Sequence, residues 1–316
     1  MSFGFDLGAT TPFSWRRDVD LRSAEPVSRD ATAPPRLAPI VGSTAGSPEI
    51  QIALIDGIIE RSHPSLAGAI ISEDERPAGA SAAGSAAAHA TFIASILVGC
   101  GPGVLGVCRG ARLASVPIAD LAFEQGRLPA RSAAARIARA VERAVAGGAD
   151  VILLSLEFAP EMSQPFDVVA RALAAAASRG IRTVIAAGNG STLGSNLVLG
   201  APGVVPVAMA AADGSPHIDA ALGPFIGTRG LLAPGVDIPG ATLPAGTGVR
   251  SGSSFSAAIV AGSYALLRSG FPEVRRELVW ESLLDPGALR RRRASIVPPL
   301  LDTHASLMRL KRLNER

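Results

Sequence analysis

The sequence predicts an α/β fold, a mostly parallel central sheet with helices on both faces in three layers. Three observations carry the prediction. From about residue 49 onward, short apolar runs alternate with longer segments of helical period. Those runs are continuously apolar, as strands buried on both faces are. Aromatic residues make up only 4% of the 316-residue chain, which holds 34 glycines. The core must therefore be built from Ala, Val, Leu and Ile, and its helices can approach a sheet closely.

The elements follow in order. Residues 1–47 are polar and Pro-bearing, with Ala33-Pro34-Pro35-Arg36 and Ala38-Pro39. They read as a partly ordered extension or as an arm docked over the domain that follows. Residues 50–55 form a buried strand ending at Asp56. Residues 89–98 form a helix stopped by Gly99, and 111–118 a second strand. Residues 132–146 form a helix, with Ile137, Val141 and Val145 at i, i+4 and i+8 and Gly147-Gly148 ending it. Residues 150–156 are a strand, and 165–178 a helix closed by Gly180. Residues 181–186 are a strand running into Ala187-Gly188-Asn189, and 204–210 another. Residues 254–267 form the last core helix. The domain therefore spans 48–285. A basic tail, 286–316, follows, in which 300–313 can form an amphipathic helix packed on the outside. No internal repeat is present.

Composition narrows the function classes. The formal net charge is only +3, and the run Arg290 to Arg293 has no interleaved aromatics, so no nucleic-acid partner is expected. The uncharged stretch 77–108 is broken by Gly and Pro, so no membrane span is expected. No apolar segment follows a basic start at the N-terminus, so cytoplasmic residence is the expectation. Cys100 and Cys108 have only His89 nearby, too few ligands for a tetrahedral zinc site. They read as idle thiols, a short-loop disulfide being the alternative. Ser72-Glu73-Asp74-Glu75 reads as a solvated loop, with a calcium site as the alternative. No cofactor and no essential metal are expected.

Four residues carry the chemistry. Asp56 ends a buried strand, where a carboxylate needs a partner. His89 opens an apolar helix, while His63, His217 and His304 sit in loop, polar or tail contexts. Ser254 lies where a Gly-bearing loop enters an apolar helix; it can cap that helix, or it can use the free N–H groups there as an oxyanion site. Asn189 follows Gly188 and is either a turn residue or a side-chain amide donor. Together they supply a nucleophile (Ser254), a general base (His89), an orienter for the base (Asp56) and an oxyanion donor (Asn189).

The blocks around them resemble those of the subtilisin-like serine peptidases. They are Ile52-Ala53-Leu54-Ile55-Asp56-Gly57 with His63-Pro64-Ser65-Leu66, then His89-Ala90-Thr91, Gly103-Val104-Leu105-Gly106-Val107-Cys108 and Asp150-Val151-Ile152-Leu153-Leu154-Ser155-Leu156. Ala186-Ala187-Gly188-Asn189, Leu232-Ala233-Pro234-Gly235 and Gly252-Ser253-Ser254-Phe255 complete the set. Within that family the chain is similar to the cyanobactin-type peptide-maturation proteases, through Cys108-Arg109-Gly110, Leu232-Ala233-Pro234-Gly235 and Ile238-Pro239-Gly240-Ala241. The resemblance implies a subtilisin-like three-layer fold, the triad Asp56, His89 and Ser254, and an oxyanion hole of Asn189 and the Ser254 N–H. It also implies that Ser155, Leu156 and Glu157 face Ala186, Ala187 and Gly188 across an extended peptide substrate, a precursor peptide whose leader is removed. Macrocyclising relatives insert a lid between the aspartate and the histidine; here 89 − 56 = 33 residues leave no room for one.

The chain departs from the family pattern at five residues. Ala90 replaces a Gly, Ser253 a Thr and Glu157 a Gly, and Ala257-Ala258 stands where a Pro is common. Two alternatives follow: a peptide-binding pseudoprotease on the same fold, or a general intracellular degradative protease.

Overall fold

The computed structural model describes residues 44–158, 165–191, 193, 196–284 and 295–315, and the backbone pairing of 13–14 and 19–22. The run Arg290 to Arg293 lies outside the described residues, as does most of the N-terminal extension. The strands are β1 (Phe13–Ser14), β2 (Val19–Arg22), β3 (Gln51–Asp56), β4 (Ile70–Glu73), β5 (Arg112–Pro117), β6 (Val151–Leu154), β7 (Glu157–Phe158), β8 (Arg182–Ala186), β9 (Val204–Ala210), β10 (Leu231–Pro234), β11 (Ile238–Thr242) and β12 (Gly246–Ser251). The helices are α1 (Ser85–Val98), α2 (Leu121–Glu124), α3 (Ala130–Ala146), α4 (Asp167–Ser178), α5 (Pro224–Arg229), α6 (Ser253–Gly270), α7 (Arg276–Leu284) and α8 (Thr303–Asn314).

Seven strands form one parallel sheet in the order β10-β9-β8-β6-β3-β5-β4. Successive residues of the central strands enter opposite cores, as the pleat requires. Ile52 and Leu54 pack with α1 and α6 residues such as Phe92, Phe255 and Ile259. Ala53 and Ile55 pack with α3 and α4 residues such as Ile137, Val141 and Leu173. This is the predicted three-layer α/β architecture.

The strand order reverses at β3, which has β5 on one side and β6 on the other. In open parallel sheets the crevice for ligands forms at the carboxyl ends of the strands beside such a reversal. Asp56, the last residue of β3, stands there, and Asn189 lies just past the end of β8.

Several elements differ from expectation. α1 begins at Ser85, four residues before His89, because Ala86, Ala87 and Ala88 continue the helix backward from a Gly84 that offers no side-chain cap. The predicted strand 150–156 divides into β6 and β7. The segment read as a solvated acidic loop is in part the edge strand β4; Asp74 just beyond it meets Arg143 at 2.6 Å, and Glu73 pairs with Arg76. His63, read as a loop residue, is buried at the start of a 3₁₀ turn, Pro64–Leu66, where Nδ1 accepts from the Ser65 N–H. The tail helix α8 is not merely peripheral: Leu310 and Leu301 are buried in the α1/α6 core, and Ser306 Oγ donates to the Ser282 carbonyl of α7.

Cys100 is exposed, Cys108 is buried, and both are free thiols. Burial pushes the Cys108 thiol up to about 11. Among the described residues no helix is long and apolar enough to cross a membrane.

Candidate active site

Asp56 reaches the site because β3 carries it there, and Gly57 lets the chain turn close to α1. A Cβ on Gly57 would stand 2.3 Å from the Ala86 carbonyl oxygen, so only glycine permits that approach. The Asp56 carboxylate is fully buried. Its Oδ1 accepts from the Gly57 N–H at 2.7 Å. The imidazole of His89, also buried, places Nδ1 2.8 Å from Asp56 Oδ2 and 3.1 Å from Oδ1. A carboxylate can only accept here, so Nδ1 carries the proton and Nε2 is the basic nitrogen of the neutral ring. The buried charge of Asp56 thus has its partner, and the histidine tautomer is set.

His89 lies in the second turn of α1, on the side facing α6. Its ring centroid is 6.1 Å from that of Phe255, which in turn packs 4.9 Å from Phe92. Ser254 is the neighbour of Phe255 and is 4% exposed, so a reactant must enter a nearly closed site to meet it. It is the second residue of α6, where the backbone N–H has no intrahelical acceptor. Residue 254 does not cap the helix: the cap position is Gly252.

Asn189 is joined to the same helix end. Its Oδ1 accepts from the Ser253 N–H at 3.0 Å, which fixes which end of the amide faces Ser253. The Gly188 N–H donates to Ser253 Oγ at 3.2 Å. In the sequence Ser253 reads only as a replacement of Thr. It is instead the link between the loop after β8 and the start of α6, and its hydroxyl is the part that a Thr would share. That loop turns through left-handed backbone: Gly188 and Gly190 supply positive φ (113° and 90°) without steric cost, and Ser191 adopts it at 55°.

A second anchor was also not legible. Ser256 Oγ lies 3.0 and 3.1 Å from the carbonyl oxygens of Ala233 and Pro234, so the end of β10 holds the first turn of α6. Gly235 makes this possible, since a Cβ there would stand 2.1 Å from Ser256 Oγ.

The segments expected to flank a substrate follow the paired strands β6 and β8, whose register ends at Leu154 opposite Ile185. Ser155, Leu156, Ala186 and Ala187 have buried side chains, and the Ala187 N–H donates to the Val207 carbonyl of β9 at 2.8 Å. Glu157 is half-buried on β7, and its Oε1 and Cγ would be 2.9 and 3.1 Å from a Cβ on Gly188. Its carboxyl therefore fills the gap between the two segments. Of the other departures, Ala90, Ala257 and Ala258 are fully buried in the α1/α6 core; their methyl groups serve packing. Among the described residues no group of three or more His, Cys, Asp or Glu side chains could hold a metal ion.

Comparisons with known proteins place the fold and the family. The model of the subtilase family matches residues 47–285. A serine-to-alanine variant of the protease domain of PatA is 29% identical with a TM-score of 0.73, the match covering 85% of this chain and 98% of that one. The prenylagaramide maturation protease PagA is 27% identical with a TM-score of 0.71, covering 87% and 98%. The PatG macrocyclase in complex with peptide, 22% identical at a TM-score of 0.71 and covering 87% and 96%, shares the fold. No curated protein matches. With a family match over most of its length and a fold shared with maturation proteases, the chain belongs to the subtilase family, peptidase family S8, and is a subtilisin-like serine protease.

Proposed function

We propose that Asp56, His89 and Ser254 are the catalytic triad and that the enzyme removes the leader of a ribosomally made precursor peptide. The observation that carries the triad is the buried Asp56–His89 pair at the carboxyl end of β3, set against the helix whose second residue is Ser254. Ser254 Oγ attacks the scissile carbonyl carbon while His89 Nε2 takes its proton. The oxyanion is held by the Ser254 N–H and the Asn189 side-chain NH2. His89 returns the proton to the leaving amine, and water then hydrolyses the acyl-enzyme by the same route. Asp56 holds the imidazole and stabilises its charged form. The substrate main chain pairs by strand addition with Ser155-Leu156-Glu157 and Ala186-Ala187-Gly188.

Leader removal is supported by the likeness to PagA and the PatA protease domain and by the 33-residue interval from Asp56 to His89, too short for a lid. The reaction consumes a precursor peptide and water and needs no cofactor; residence in the cytoplasm, where such precursors are made, completes the reading. The experiment is incubation with precursor peptides from the same genome beside unrelated unfolded proteins, with products mapped by mass spectrometry. One cut at the leader–core junction, with the unrelated proteins intact, is expected. Broad digestion of the unrelated proteins would replace maturation with general degradation.

A further inference from the structure

Helix α1 carries His89, and its first turn lacks a cap of its own. The cap position is Gly84, which has no side chain to accept from the orphan N–H groups, and the first turn holds no acidic residue. Farther along, α1 is pinned to its neighbours. Thr91 Oγ1 accepts from the Glu60 N–H at 2.9 Å, and Ser95 Oγ accepts from the Ala241 N–H of β11 at 2.9 Å. In the turn before His89, residues 85–88, the one side-chain hydrogen bond among the described residues runs from Ser85 Oγ to Glu124 Oε2, at 3.1 Å.

Glu124 comes from α2, just beyond the end of β5, where Pro117 stands opposite Asp56. Its carboxylate takes the place of the missing cap. A Cβ on Gly84 would stand 2.5 Å from Glu124 Oε1 and 3.0 Å from Oε2. Glu124 therefore fills the volume in which a capping side chain of residue 84 would begin. The backbone of Gly84 is extended (φ −79°, ψ 173°), as that of a cap residue is. Glycine is needed there for space and not for its φ. A carboxylate at this end also meets the positive pole of the helix dipole.

The four-residue helix α2 is itself held in place. Asp120 Oδ1 accepts from the Phe123 N–H at 2.8 Å. Arg136 Nη1 of α3 donates to Asp120 Oδ2 at 2.8 Å and to the Ile118 carbonyl oxygen at 3.0 Å. The Phe123 side chain is buried in the α3/α4 core. Glu124 is thus anchored from the α3 side of the sheet while it grips α1 on the other. Ser85 and His89 are four residues apart on α1, so they share a face, with Cβ atoms about 5–6 Å apart. A shift of the first turn carries the imidazole with it.

We propose that Glu124 is a positioning residue for the peptidase reaction: it caps α1 from outside the helix and so fixes where His89 presents Nε2 to Ser254. The proposal rests on the triad reading.

The test uses the full chain, one peptide substrate, and active sites counted by fluorophosphonate titration, so that kcat refers to folded enzyme alone. Glu124→Ala is expected to lower kcat about tenfold with KM little changed, as a small misplacement of a reacting group does. Glu124→Gln keeps an oxygen acceptor for Ser85 Oγ and should stay within about threefold of wild type. Glu124→Ala combined with Gly84→Ser makes room for the new Cβ and supplies a cap within the helix; it should recover most of the lost kcat. Ser85→Ala, an exposed change that raises helix propensity, should lose kcat severalfold without loss of melting temperature. That variant keeps the proposal testable where Glu124→Ala does not fold. Unchanged kcat in Glu124→Ala or in Ser85→Ala, a loss confined to KM, or no recovery on adding Gly84→Ser overturns the proposal. Labelling of wild-type Ser254 reads the peptidase assignment separately. No labelling sinks that assignment, whereas labelling at one rate in wild type and every variant sinks only the role of Glu124.

Discussion

Replacing Asn189 by alanine removes two things at once: the amide proposed to bind the oxyanion, and the acceptor of the Ser253 N–H at 3.0 Å. The expected result is a fall in kcat of about 10²–10³, the size found for an oxyanion-hole asparagine in subtilisin itself, a member of this family, with KM little changed. Ser253 tests the neighbouring link from the Gly188 N–H. Ser253→Thr keeps the hydroxyl that accepts from the Gly188 N–H and should retain near-normal kcat, whereas Ser253→Ala should lose several-fold. Steady-state kinetics on one peptide substrate checks all three. Glu157, set against Gly188, should favour a basic substrate residue at the cleft; cleavage profiles on a peptide library should lose that preference in Glu157→Gly. An unchanged profile removes Glu157 as a selector. At this scale the sequence singled out the proposed groups because each stands in a block of distinct character. It did not reveal Ser253 as a link or Ser256 as an anchor, since serines on a buried helix start have no pattern that distinguishes a joint from a filler.

Helix α6 carries the proposed nucleophile, and its first turn is held by the end of β10. Gly235→Ala would drive a methyl to 2.1 Å from Ser256 Oγ and 3.0 Å from the Gly252 carbonyl oxygen. Something must shift, and it is the turn that aims Ser254. The expected outcome is a loss of kcat well beyond any loss in melting temperature, measured on the same preparation. The tail helix α8 makes a contrasting case. Leu310 is fully buried far along the chain from the site, so Leu310→Ala should cost about 2–5 kcal/mol of stability by denaturant unfolding, with kcat unchanged on the folded fraction. Long periodic or apolar elements were readable: β9 was placed at its true ends, and β3 and α3 within two residues. Strands β10, β11 and β12 were not, because Pro234-Gly235 and Pro239-Gly240 read as loop punctuation; here sheet pairing overrides local propensity. The start of α1 was missed because Gly84 and an alanine run give no capping signal.

Across the whole molecule, the two cores on either side of one sheet explain why the fold class was legible. Continuous apolar strands admit few other arrangements. What joins distant parts of the chain was not legible: β1 on β7 and β2 on β12 lie in a segment with no hydrophobic periodicity of its own, and their pairing is set by the edges they find. The buried thiol and phenol give a pH signature of the intact fold. Burial raises Cys108 from 9.0 to about 11 and Tyr264 from 10.0 to about 12. Each group keeps its proton in the fold at pH values where the unfolded chain has lost it. The stabilisation is complete below about pH 9 and is lost as the pH rises through about 11. Guanidinium midpoints should fall between pH 8 and pH 11, and fall less steeply in Cys108→Ala. A slope identical to the wild type would remove Cys108 from that account.

The central claim is that Ser254 is a nucleophile activated by His89 and Asp56. Mass spectrometry of the chain after reaction with a fluorophosphonate tests it most directly. One phosphonyl adduct on Ser254 is predicted, absent in Ser254→Ala and strongly slowed in His89→Ala. No adduct, or an adduct on another serine with Ser254 unmodified, would contradict the account.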